Sequence, residues 1–214
     1  MNMYYPDDAL PLTPQYRVGD FVFSTTNYQA SVQEEHEPLL PLADQHLEIA
    51  TKTSTLEQAQ SVMPFTILLP QWLPPGFTRM PEVGITMPPD RTAETDPIFI
   101  AFLQSCSAEV HLLWRREKGG FIGLDQQAAG AQTTQRIYML TNDIDTLEEV
   151  RVHRAPVPLI RRAAGPTPEL RAVFPAPNLR LIWKTEQLLC ELHAASEYVS
   201  SDELVRVAES MPIR

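Results

Sequence analysis

From Ala108 onward, apolar and polar residues repeatedly exchange places with a period of two. In SAEVHLLWRR, Ala108, Val110, Leu112 and Trp114 share one face, while Glu109, His111, Leu113 and Arg115 share the other. Ile137 and Met139 oppose Arg136 and Tyr138; Val150 and Val152 oppose Arg151 and His153. Leu179, Leu181 and Trp183 oppose Arg180, Ile182 and Lys184, and Leu188, Cys190 and Leu192 oppose Leu189, Glu191 and His193. This pattern belongs to strands with one buried and one wetter face. Their links are short. RREKGGF offers Gly119 and Gly120 for a hairpin turn, and KTEQ is a tighter turn without glycine. A parallel crossover needs a dozen or more residues, so short links favour antiparallel pairing. The run PIFIAFLQ, apolar throughout, reads as a central strand, and the six prolines of residues 155–177 mark an edge or an excursion.

Helices bracket these strands. Ser54 with Glu57, and Thr55 with Gln58, have capping-box spacing, and Leu56, Ala59 and Met63 lie on one helical face that Pro64 ends. Near the C-terminus Ser200 and Glu203 repeat the capping box, Asp202 and Glu203 favour the helix N-terminus, and Leu204, Val207, Ala208 and Met211 form the apolar stripe. The fold class that follows is α+β, a curved antiparallel sheet packed against an N-terminal and a C-terminal helix.

Residues 1–53 read as an acidic, proline-rich arm with one strand around Val18, Phe21 and Phe23, and residues 54–214 as the α+β domain. Of the formal charge of −10, residues 1–60 carry −7, from nine acids against Arg17 and Lys52. An acidic arm on a nearly neutral domain argues against nucleic acid, which needs net positive surface. The five arginines between Arg151 and Arg171 alternate with apolar residues and prolines, so they read as solvated strand faces. Two cysteines, Cys106 and Cys190, make no disulfide framework; Cys190 falls on an inward strand position. The opening MNMYYPDDALPL lacks the basic and apolar blocks of a signal peptide, and no run of 18 apolar residues occurs. On these grounds the chain is either cytoplasmic or separated from its anchor.

The stretch LLPQWLPPGF, residues 68–77, interrupts an apolar run with three prolines and a glycine. Phe65 to Leu69 reads as a strand, Pro74-Pro75 as a rigid bend, and Gly76 as the residue that frees the turn. Trp72 sits between the rigid corners. It either plugs one end of the core or lines a surface groove for a partner.

PFTILLPQWLPPGF resembles a family pattern in which an apolar PF strand leads into LP.yLP.Gf, and LIWKTEQLLCELHA followed by VSSDELVRVAESM resembles that family's ending. The family is an uncharacterised bacterial C-terminal domain of membrane-anchored, anti-sigma-factor-like proteins. Its architecture is similar to periplasmic lipoprotein-carrier and sigma-regulator sensing domains. The resemblance spans roughly residues 54–212, and where the family carries a glycine in the last turn this chain has Thr185-Glu186. It implies an extracytoplasmic, envelope-associated setting and supplies no catalytic residues.

No motif for chemistry emerges from the residues. The five histidines show no HxH or HExxH spacing. His111, His153 and His193 each fall on a polar strand face, where three outward rings could converge on a metal or a proton. Asn142, Asp143 and Asp145 resemble the start of a calcium loop but lack its glycine and distant glutamate. No GxSxG elbow or phosphate loop is present, and Cys106 has no basic neighbour in sequence. The expectation is therefore a non-enzymatic interaction or sensory domain with no cofactor and no metal. Its partner would be a protein or peptide, with Trp72 as a candidate contact and strand addition at the proline-rich edge as a candidate mode. The alternative is a carrier holding a lipid or other apolar ligand between sheet and helices. A small hydrolase ranks third, since it would need several polar groups meeting in one cleft.

Overall fold

The computed structural model describes residues 15–26, 52–87, 108–128, 137–142, 145–165 and 176–212. The expected strand PIFIAFLQ, Asp143, Cys106 and Arg171 lie outside the described residues. Among those described, the fold is mostly antiparallel sheet with two helices, an α+β arrangement.

The large sheet contains β3 (Lys52–Thr55), β4 (Phe77–Arg79), β5 (Glu82–Thr86), β6 (Glu109–Arg116), β7 (Phe121–Ala128), β9 (Asp145–Val152), β10 (Ala155–Arg162), β11 (Asn178–Lys184) and β12 (Leu188–Ala195). Its order is β3-β5-β6-β7-β12-β11-β10-β9, with β4 also paired to β6, and every described pairing within it is antiparallel. The two expected turns are present. Gly119 and Gly120 join β6 to β7 at φ of 96° and 85°, where a side chain would be strained. Between β11 and β12 the Thr185 hydroxyl braces the glycine-free turn, accepting from the amides of Gln187 (3.3 Å) and Leu188 (3.0 Å).

Alternation sorts the side chains as the sequence implies. Val110, Leu112, Trp114, Ile122, Leu124, Leu179, Leu181, Cys190 and Leu192 are buried in one core. Burial pushes the Cys190 thiol up to about 12, so this cysteine behaves as an apolar residue. The same core takes Ala59 from α1 (Leu56–Val62), and Leu204, Val207 and Ala208 from α2 (Ser201–Glu209). Both helices start in the expected capping boxes: Thr55 accepts from Gln58 N at 3.2 Å and Ser200 from Glu203 N at 3.3 Å. Full burial of a side chain such as Leu204 contributes about 1.5–3 kcal/mol, more than such a short helix contributes by propensity.

Three expectations are corrected. Phe65 to Leu69 form no strand. The segment lies against the inner face of the sheet, with Phe65, Ile67 and Leu68 buried. Its backbone is satisfied by side chains: Gln60 donates to Phe65 O at 2.9 Å and accepts from Ile67 N at 2.8 Å. Second, the proline-bearing β10 is not at an edge; it lies between β9 and β11, and β9 is terminal. The prolines are tolerated because β11 pairs only with Leu159–Arg162, leaving Pro156 and Pro158 beside β9 alone. Third, Arg162 is not solvated: it grips Asp145 through two hydrogen bonds of 2.7 and 2.8 Å, and the Asp145 side chain is 1% exposed. This also commits the Asp145 carboxylate that the calcium-loop comparison used.

The arm contributes more than one strand. β1 (Gln15–Val18) and β2 (Phe21–Thr26) form a hairpin through Gly19, and β2 pairs in parallel with β8 (Ile137–Asn142). Val18, Phe21 and Phe23 cover Ile160 and Ile182 on the outer face of the large sheet, forming a second core. Asp20 and Lys184 meet at 2.7 Å beside it. No described helix is long and apolar enough to cross a membrane.

Candidate functional site

The outer face is covered by this hairpin at the β10–β11 end. Toward β5, β6, β7 and β12 a surface depression of about 600 Å³ remains, lined by residues including Met80, Leu113, His111, Asp125 and His193. Register builds it. His111 on β6 faces Asp125 on β7, and Asp125 faces Glu191 on β12. One step along, His193 on β12 faces Gly123 on β7.

His111 is held at both ring nitrogens. Its Nδ1 lies 2.9 Å from Asp125 Oδ1 and its Nε2 lies 2.9 Å from Thr86 Oγ1. On the other side of the carboxylate, His193 Nδ1 stands 3.6 Å from Asp125 Oδ2. Gly123 makes this approach possible, because a Cβ there would overlap the His193 ring. Phe121 meets that ring edge to face, at 5.7 Å between centroids. Glu109 lies two residues before His111 and therefore on the same strand face. Arg180 forks onto Glu191 at 2.7 and 3.0 Å, which engages the neighbouring carboxylate.

Electrostatics follow from crowding acids around a half-buried ring. The hydrogen bond to Asp125 is the largest influence on His111 and raises its pKa; burial works against it, and the charges of Asp125 and Glu109 add to it, for a net rise. Burial is the largest influence on Glu109 and lifts its carboxyl; His111 lowers it, Asp125 and Glu191 raise it again, and the net direction is upward. The cluster therefore retains protons that free side chains would release.

Aspartate, histidine and hydroxyl in a row also describe the relay of a nucleophilic hydrolase. Acyl transfer further requires donors aimed at a developing oxyanion. Between Thr86 Oγ1 and Asp125 Oδ1 the His111 ring is held in one orientation.

Of the three histidines expected on polar strand faces, the structure brings two together. His153 instead occupies the β9–β10 turn with φ of 50°. Asp125 and Glu109, which complete the cluster, were not singled out as site residues by the sequence. The signal for Asp125 was phase: in FIGLDQQA, Ile122 and Leu124 point inward, which turns Gly123 and Asp125 outward. Trp72 lies elsewhere. It is half-buried, packs against the main core, and carries the Arg206 guanidinium 4.1 Å from its ring centroid. Its amide donates to Ser210 Oγ at 3.1 Å, tying the proline-rich loop to the end of α2.

Comparison with protein-family models, with curated proteins and with solved structures finds no match for this chain.

Proposed function

We propose that this chain acts as a non-catalytic interaction or sensory domain, in which a sheet curved around its helices presents the β5–β6–β7–β12 depression to a protein or peptide segment. The observation that carries the reading is that depression. It sets half-buried Leu113 and Met80 beside oriented polar groups at His111, Asp125 and His193. A mixture of apolar floor and fixed polar partners suits an extended polypeptide, which offers side chains and backbone amides together. Placement in a bacterial envelope-associated regulator rests on the motifs at the two ends of the domain. Trp72 offers a secondary contact on the opposite side, through the part of its ring that the core leaves free.

The carrier alternative needs space between sheet and helices. Phe65, Ile67 and Leu68 lie there as part of the core, which favours the interaction reading. A photo-crosslinking residue placed at Leu113 tests it in a lysate of the native host. A discrete adduct that is missing when the same residue stands at Arg154, in the β9–β10 turn, supports a partner at the depression. Identical patterns from the two positions contradict it, and lipid found by native mass spectrometry of the purified protein would favour the carrier.

A further inference from the structure

We propose that Glu109, His111 and Asp125 bind a single divalent cation of the zinc class, with Thr86 and His193 holding two of the ligands in place. One ligand atom from each of the three residues lies within 4.8 Å of the others. In a tetrahedral site with bonds of about 2.0–2.1 Å, neighbouring ligand atoms stand roughly 3.3 Å apart, so small side-chain rotations close the set. The backbone is already arranged for this. Glu109 and His111 share one face of β6, and the β6–β7 register sets Asp125 opposite His111.

The surroundings resemble the outer shell that orients metal ligands. His111 Nδ1 points at the carboxylate of Asp125 while Nε2 points at the Thr86 hydroxyl. With the remaining proton on Nε2, donated to Thr86, the Nδ1 lone pair is free to bind an ion. His193 braces Asp125 from its other oxygen, over the space that Gly123 leaves open. Two carboxylates balance a doubly charged ion, and Arg180 occupies Glu191, the next acid along the row. An imidazole among the ligands disfavours calcium and magnesium, which take oxygen. The half-buried position leaves a fourth ligand place for water.

The site binds its ion with or without a polypeptide in the depression, and its failure would leave the crosslinking result untouched. The test is calorimetric titration of the metal-free full chain with zinc chloride, paralleled by cobalt(II) absorption in the visible. The expected result is saturable uptake of one ion per chain. His111→Ala and Glu109→Gln should each weaken binding about tenfold or more, and Thr86→Val by about 10–100-fold, with His153→Ala unchanged. Glu109→Gln keeps the shape of the side chain, so it remains informative if His111→Ala fails to fold. No saturable uptake, or uptake equally tight in Glu109→Gln and in whichever His111 variant folds, overturns the proposal.

Discussion

Gln126 holds Leu68 by both backbone groups at once: its amide nitrogen donates to Leu68 O at 2.7 Å and its carbonyl accepts from Leu68 N at 2.8 Å. A completely buried side chain thus replaces the neighbouring strand that residues 65–69 lack. Gln126→Leu would leave two buried backbone groups without these partners, at about 1–3 kcal/mol each. Thermal or denaturant melts should record a loss of roughly 2–5 kcal/mol. Gln60→Ala, at a more exposed site, should cost about 1–2 kcal/mol.

Two neighbouring ion pairs should behave very differently. Arg161 meets Glu148 at 3.0 Å with both side chains close to half exposed, whereas the Arg162–Asp145 pair is largely enclosed. Removing Arg161 should change stability by less than about 1 kcal/mol, because water screens the pair. Arg162→Ala leaves the Asp145 carboxylate without its guanidinium and should cost about 3–5 kcal/mol. Equal losses in chemical denaturation would show that the β9–β10 register is wrong.

Trp72→Ala removes the ring that joins the proline-rich loop to α2. The ring is only half-buried, so the loss should fall below the ~3–5 kcal/mol of a full tryptophan cavity, at about 2–3 kcal/mol including its cationic neighbour. A melt unchanged from the parent would instead assign Trp72 wholly to the surface.

The acid cluster also fixes the sign of a pH dependence. His111 is raised, so its contribution is complete below the ordinary histidine value and is lost as pH climbs through the folded value. Glu109 is raised as well, so there too the folded state holds its proton more tightly and loses stability as pH rises. Both effects have the same direction. The melting temperature should fall between about pH 5 and about pH 8, and the double variant Glu109→Gln, His111→Asn should flatten that fall. Superimposable pH profiles for parent and variant would exclude this linkage.

What could be read from the sequence was local. The phases of Val110–Leu112–Trp114 and of Leu188–Cys190–Leu192 follow from period two, and both helix starts follow from side chains reaching three residues along the chain. Strand order was not readable, because it depends on pairings between distant segments. Without it, His111 and His193 could not be separated from His153. Period two puts Ile182 and Leu189 on the wetter faces, yet the hairpin carrying Phe21 and Phe23 covers them, a long-range contact that strand phase does not record. Residues 65–69 have the apolar composition of a strand, but Gln60 and Gln126 satisfy their backbone from a distance that no local pattern records.

Nitrogen-detected NMR titration of the His111 ring, in metal-free protein, addresses the pairing of β6 with β7 most directly. With His111 Nδ1 against Asp125, the ring should titrate above a free histidine, and Asp125→Asn should bring it down. A ring that titrates like free histidine and ignores the substitution would contradict the arrangement of the outer face.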